Sequence, residues 1–218
     1  MNTKRDIRNI DKEELAEFFN ARKIPKFRAK QVSEWLWKKR AISFEEMTSL
    51  SKELRRLLNE HFVINAVKIH KAEKSIDGTA KYSLKLHDNN LVEGVLIPSK
   101  KRLTACVSSQ VGCSLACNFC ATGTLKLERN LSYSEIYDQV FILNEEAQLN
   151  FGRSLSNIVF MGMGEPLLNY DNLLKGINLI TTEEGLAISA KRITVSTAGI
   201  SKMITKLADD NVKFHLAI

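Results

Sequence analysis

The chain has 218 residues, enough for one large domain or for one domain plus a smaller one, and its 44% apolar content is ample for a core. It contains no run of eighteen apolar residues, which excludes a membrane-spanning helix. Its net charge of +7 favours a polyanionic partner.

Residues 1 to about 65 read as a small helical domain. Asp11 and Glu14 have capping-box spacing ahead of Leu15, Phe18 and Phe19, and Pro25 breaks the chain before a basic helix predicted over roughly 28–40. Residues 22–40 hold eight Lys and Arg against Glu34 alone, an excess of seven that equals the charge of the whole chain. Phe27, Trp35 and Trp37 are interleaved with these cations, as expected where guanidinium and ammonium groups meet phosphates and rings stack on bases. The alternative is a solvated basic face whose core stripe is Val32, Trp35 and Leu36 at i, i+3 and i+4. Ser43 and Glu46 form a second box, expected to open a helical stretch with Leu54, Leu57 and Leu58 as its stripe.

Over 66–98 the apolar period changes from 3.6 to 2. Val67 and Ile69 alternate with lysines, Asp77-Gly78 signals a hairpin turn, Ala80, Tyr82, Leu84 and Leu86 alternate again, and Asp88-Asn89-Asn90 turns the chain into 91–97. This predicts a three-stranded antiparallel meander, placed as a connector between two domains. Beyond Lys100 strands and helices alternate, with strands at 103–108, 157–161, 193–196 and 214–218 and helices at 134–148, 170–182 and 201–208. Such alternation means parallel β/α units, in which chemistry gathers at the carboxyl ends of the strands. The loop after the first strand, Gly162-Met163-Gly164-Glu165-Pro166 and Ser196-Thr197-Ala198-Gly199 all fall there.

All four cysteines lie between Cys106 and Cys120. Cys113, Cys117 and Cys120 form C-x3-C-x2-C, which lets one tight loop turn three thiolates toward a single centre and leaves a fourth position open. A substrate can chelate an open iron of a four-iron cluster, whereas structural zinc sites close all four positions. The pattern resembles the radical S-adenosylmethionine (SAM) enzymes, with Phe119 expected to cover one face of the cluster. The competing reading is a zinc knuckle completed by Cys106, but zinc sites present two close pairs a dozen or more residues apart, and Cys106 stands seven residues ahead of a compact triplet. Disulfides are disfavoured because no secretory segment opens the chain, which reads as cytoplasmic. Gly162 and Gly164 lack the third glycine of a dinucleotide site and the Lys-Ser/Thr of a P-loop. They could instead let the backbone approach an amino acid moiety, with Glu165 accepting from its ammonium, or serve only a tight turn.

Taken together these motifs closely resemble the RlmN/Cfr family of radical SAM RNA adenine methyltransferases. The resemblance rests on Lys26-Phe27-Arg28-Ala29-Lys30-Gln31 with Trp35, Asp77-Gly78-Thr79, Glu93 through Pro98, Cys106-Val107-Ser108-Ser109-Gln110, the cysteine triplet, Gly162 to Leu167 and Ser196 to Gly199. It implies an α/β fold, a partial radical SAM (β/α)6-type barrel with about four strands present, after the helical domain and the meander. It implies a [4Fe-4S] cluster on Cys113, Cys117 and Cys120, SAM contacts at Gly164, Glu165 and Ser196, Glu93 as proton acceptor, and Cys106 as the thiol that resolves a protein–RNA adduct through a transient disulfide. The reaction implied is methylation of adenine C2 in ribosomal RNA and in transfer RNA, through a methyl-cysteine intermediate. The implied enzyme is a monomer served by an electron donor such as a flavodoxin or ferredoxin. Two alternatives stay open: the C8-directed branch, and a non-catalytic, metal-stabilised RNA-binding module. The family's methyl-accepting cysteine has no counterpart among the four, so the chain by itself is expected to be a C-terminally truncated fragment that does not complete the cycle.

Overall fold

Residues 4–115 and 117–218 are described by the computed structural model, which divides the chain into two units, Met1–Ala66 with Glu183–Leu186 and Val67–Thr182 with Ala187–Ile218. The first contains strand β1 (Arg5–Asp6), helices α1 (Lys12–Asn20), α2 (Phe27–Ser33) and α3 (Lys52–His61), and strand β2 (Phe62–Val63), which pairs parallel with β1. Asp11 caps α1 by accepting from the Glu14 amide at 2.7 Å. The Glu14 carboxylate does not complete the box and pairs with Arg5 instead. Leu15 and Phe19 are buried as their spacing requires.

Two expectations for this unit are corrected. The basic helix does not continue as an α-helix: after α2 it widens into a π turn over Glu34–Lys38, with the Lys39 amide donating to the Glu34 carbonyl. The wider turn shifts the inward positions, so Val32, Leu36 and Trp37 are buried. Trp35 rotates to the rim, where its Nε1 donates to Ser49 Oγ at 2.7 Å and Lys39 lies 3.7 Å over its ring. The Ser43/Glu46 pair caps no α-helix. It closes a three-residue 3₁₀ turn in which Ser43 Oγ donates to Glu46, and α3 starts eight residues later on Ser51, whose hydroxyl accepts from the Leu54 amide.

The second unit is built on one seven-stranded sheet. In chain order it comprises β3 (Lys68–Lys74), β4 (Ala80–Lys85), β5 (Leu91–Pro98), β6 (Leu103–Cys106), the two-residue strands β7 (Gln110–Val111) and β8 (Arg129–Asn130), α4 (Tyr133–Phe151), β9 (Asn157–Phe160), α5 (Tyr170–Thr181), β10 (Ile193–Ser196), α6 (Ser201–Asp209) and β11 (His215–Ala217). The sheet order is β11-β10-β9-β6-β5-β4-β3. Strands β6, β9, β10 and β11 are parallel neighbours, and β3 to β6 are antiparallel. The four parallel strands with their crossover helices are the partial barrel. The meander is hydrogen-bonded to it through β5 and β6 and extends the same sheet.

Alternation sorts the sheet into two faces. Leu84, Val92, Leu96, Ala105, Ile158, Phe160, Ile193 and Val195 are buried on one face, where α4 packs against β5 and β6. Tyr82, on the same face, donates from its hydroxyl to Glu146 of α4 at 2.8 Å. Helix α4 contributes Ile136, Tyr137, Val140, Leu143 and Ala147, all fully buried, each large side chain stabilising the fold by about 1.5–3 kcal/mol. The opposite face carries Glu93, Val95, Thr104, Cys106, Val159, Thr194 and Ser196, none of them fully buried.

Candidate active site

The register brings three of the sequence-predicted residues together. Cys106 pairs with Val95 of β5 and Val159 of β9, and Glu93 lies two residues along β5 from Val95, on the same face. The Ser108 hydroxyl donates to the Glu93 carbonyl at 2.7 Å, which fixes Glu93 level with the carboxyl end of β6. Ser196 ends β10 on this face and at this end. The Cys106 thiol is half-buried, and burial pushes it up, opposed by a hydrogen bond from the Met161 amide. The Glu93 side chain is half-exposed and meets Lys81 Nζ at 3.2 Å.

Just beyond Cys106, the Val-Ser-Ser-Gln run becomes a buried polar junction. Ser108, Ser109 and Gln110 are at most 1% exposed. The Ser108 amide donates to Gln139 Oε1 at 2.9 Å and its carbonyl accepts from Gln139 Nε2 at 3.0 Å, while its hydroxyl accepts from the Met163 amide at 2.9 Å. The amides of Ser109 and Gln110 both donate to the Met163 carbonyl. Gln110 Oε1 accepts from the Glu165 amide at 2.8 Å and its Nε2 donates to Asn130. Asn169 Nδ2 donates to the carbonyls of Ser109 and Leu131. Such a network is stabilising only when every member is paired, and here it locks the loop after β6 to the loop after β9.

That contact explains the glycines. A Cβ on Gly162 would stand 2.7 Å from Ser108 Oγ and 2.8 Å from the Val107 backbone; one on Gly164 would stand 2.4 Å from Gln110 Cβ, and Gly164 has φ +92°. The positions need glycine for close approach of the cysteine-bearing segment and, at Gly164, for backbone hand as well.

Glu165, read from the sequence as an acceptor, already accepts from backbone. It is 4% exposed. Its Oε1 accepts from the Leu167 amide at 3.0 Å and its Oε2 from the Ala198 amide at 2.8 Å. Both oxygens are therefore engaged with backbone, and the carboxylate ties the loop after β9 to the Ser-Thr-Ala-Gly loop after β10. Gly164, Glu165 and Ser196 are thus positioned by one clasp.

The triplet cysteines are held differently. Strands β7 and β8 pair to form the neck of a loop whose described residues between Cys113 and Cys120 contain no helix or strand. All four cysteines are free and partly exposed, with no disulfide among them. The Leu115 amide donates to Cys113 Sγ at 3.4 Å, and the Cys120 amide donates to the Cys117 carbonyl at 3.0 Å. Among the described residues no three His, Cys, Asp or Glu side chains are gathered at metal-holding distance. Phe119 is 94% exposed, so it belongs to no core.

Arg129 clamps the neck. Its guanidinium donates to both oxygens of Glu135 at 2.8 and 2.9 Å and to Asp88, in the turn between β4 and β5, at 2.6 Å. Glu135 also completes a capping box with Ser132 at the start of α4. Burial pushes the Glu135 carboxyl up, but the Arg129 and Ser132 hydrogen bonds outweigh it, and the net shift is downward. Arg129 holds Asp88 well below the usual carboxylate range. The Ser132-x-x-Glu135 spacing is a legible cap ahead of the predicted helix start and Gln110 lies in a run that carries the resemblance, whereas Gln139 and Asn169 carry no sequence signal beyond being uncharged polar residues beside apolar runs.

The N-terminal segment, residues 5–64, matches the model of the ribosomal RNA large subunit methyltransferase N-terminal domain. Residues 107–217 match the radical SAM superfamily. Among curated relatives, "Probable dual-specificity RNA methyltransferase RlmN" of Flavobacterium psychrophilum is 59% identical over 99% of this chain and 62% of its own length. The protein of the same name from Cytophaga hutchinsonii is 60% identical, over 99% of this chain and 59% of its own. The crystal structure of a radical SAM methyltransferase from Sphaerobacter thermophilus superposes with a TM-score of 0.86 at 36% identity, covering 97% of this chain and 62% of that one. The chain spans about three-fifths of the length of these relatives. With the radical SAM model over half of its residues, the chain belongs to the radical SAM superfamily, and the segment ahead of that match is similar to the RlmN N-terminal domain.

Proposed function

We propose that the chain carries the cluster-binding and base-facing part of an enzyme that methylates adenine C2 in ribosomal RNA and transfer RNA. The observation that carries this reading is the shared face: Glu93, Cys106 and Ser196 project from one side of the sheet, at the end where the cysteine loop and the Gly164-Glu165 turn emerge. The donor set suits an iron–sulfur cluster. Cys113, Cys117 and Cys120 supply three thiols, with no imidazole or carboxylate among residues 113–120, and an amide already points at Cys113 Sγ, as amides do around cluster sulfurs. Three protein ligands leave one iron for SAM.

A [4Fe-4S] cluster with SAM would supply the carbon-centred radical needed to functionalise an electron-poor ring carbon that is a poor nucleophile. The chain's own groups have separate tasks. The Gly164 turn would hold backbone toward the amino acid moiety of SAM, Glu165 ties that turn to the Ser196 loop, and the exposed Phe119 would shield a bound cluster. Glu93 would accept a proton from the base, and the Cys106 thiolate would attack the sulfur of the methyl-carrying cysteine, which lies outside this chain, so that an S–S bond forms as the S–C bond to the methylated base breaks.

The test is anaerobic reconstitution with iron and sulfide, followed by electron paramagnetic resonance of the reduced protein with and without SAM. A cluster signal that changes on adding SAM is expected. A protein that takes up zinc in place of the cluster, or a signal indifferent to SAM, overturns the reading.

A further inference from the structure

We infer that Lys68 and Lys85 form a phosphate-binding step beside the candidate active site, gripping the RNA backbone that flanks the base presented to Cys106 and Glu93; this rests on the function proposed above. The register places Lys68 of β3 directly opposite Lys85 of β4. Pairing carries this position across the sheet, since Lys85 is opposite Leu91 and Ser83 is opposite Glu93. The two lysines therefore share the face of Glu93 and Cys106. They also share its end, because β4 ends at Lys85, β5 begins at Leu91, and β6, running antiparallel to β5, finishes at Cys106. With neighbouring strands about 4.8 Å apart and a rise of about 3.4 Å per residue, the register puts Lys85 roughly 8 Å and Lys68 roughly 12 Å from Glu93, and roughly 17 and 20 Å from Cys106, four residues further along the strands. That is the reach of nucleotides adjoining a base held at the site.

The pairing has no stabilising purpose within the fold. Like charges directly opposite on neighbouring strands are destabilising. The other lysines of this face are compensated: Lys71 pairs with Glu73 at 2.6 Å, and Lys81 with Glu93 at 3.2 Å. Lys68 and Lys85 are exposed, and among the described residues no carboxylate stands within ion-pair distance of either. The nearby Asp88 is already committed to Arg129. An uncompensated cation pair beside a site that takes a base fits a polyanionic backbone, and lysine serves phosphate as a point charge without selecting sequence.

The experiment compares Lys68→Ala/Lys85→Ala with wild type and with Lys100→Ala/Lys101→Ala, which removes two charges from the opposite end of β5. Binding of a transfer RNA transcript is followed by filter binding across a salt series, and melting temperature is measured alongside. The expected result is about tenfold weaker binding at low salt and a slope of log affinity against log salt reduced by about 1.4, for two lost phosphate contacts at about 0.7 each. Melting temperature stays equal or rises, the Lys100/Lys101 variant keeps both binding and slope, and Lys68→Arg/Lys85→Arg restores binding. Unchanged binding, equal losses in both alanine variants, or a fall in melting temperature together with binding overturns the inference while leaving the proposed function standing. A wild-type chain that does not bind the transcript overturns the function and this inference with it.

Discussion

The stretch from Cys106 to Cys120 is built in two halves on opposite principles. Residues 107–111 are buried, richly hydrogen-bonded, and locked to α4 and to the loop after β9. The described residues among 113–120 hang from the β7–β8 neck with partly exposed thiols, their hydrogen bonds local to the loop. The first half needs geometry, because it seats Cys106 on the shared face and sets Gly164 and Glu165. The second needs ligands, whose geometry a cluster would itself impose on folding around it. Changes in the first half should therefore cost the fold, and changes in the second should cost chemistry alone.

The largest effect is expected at Gly164. Gly164→Val adds a branched side chain at φ +92° where even a Cβ would lie 2.4 Å from Gln110, and should destabilise by about 3–5 kcal/mol or prevent folding, measured by denaturant titration. Next is Arg129→Met, which leaves the buried Glu135 carboxylate without its guanidinium and with only the His87 imidazole beside it at 3.4 Å, an expected cost of about 2–4 kcal/mol at neutral pH given that Arg129 is partly exposed. This variant carries a pH signature. In wild type the Asp88 and Glu135 carboxyls lie below their unfolded values, so their stabilisation is present above about pH 4–5 and is lost as pH falls through the folded values. Without Arg129, burial alone raises Glu135, and acid relieves the cost. The stability gap between the two proteins should thus narrow from pH 7 to pH 3; a constant gap would show that the clamp is not electrostatic.

Gln110→Ala should cost about 1–3 kcal/mol, because it orphans the buried Glu165 amide and loosens Asn130. The smallest effect on the fold belongs to the triplet. Cys113→Ala, Cys117→Ala and Cys120→Ala should each leave chemical unfolding of the metal-free protein within about 0.5 kcal/mol of wild type and abolish iron uptake on anaerobic reconstitution. A triplet variant that unfolds as readily as Gln110→Ala would erase the distinction between the two halves.

Much of the second unit was legible because its signals are local. Period-2 alternation located β4 and β5, Asp77-Gly78 located their preceding turn, and apolar runs between helical stretches located β9 and β10 almost to the residue. Helix ends were less legible. Two Ser-x-x-Glu boxes look alike in sequence, yet Ser132/Glu135 opens a nineteen-residue helix while Ser43/Glu46 closes a single 3₁₀ turn; the difference lies in the long apolar stripe that follows Ser132 and finds a sheet to cover. Trp35 was misplaced because a π turn is invisible to a 3.6-residue count.

By itself the sequence determined which thiols are available, three spaced C-x3-C-x2-C that no packing can add or remove, and it determined the strand faces, because alternation follows from the pleat. Only the tertiary structure decided what Glu165 does, why residues 162 and 164 must be glycine, and that Lys68 faces Lys85. Each of these is a contact between segments dozens of residues apart or across a strand register. Register and loop apposition are set by the summed burial of the whole sheet, and no local pattern encodes them.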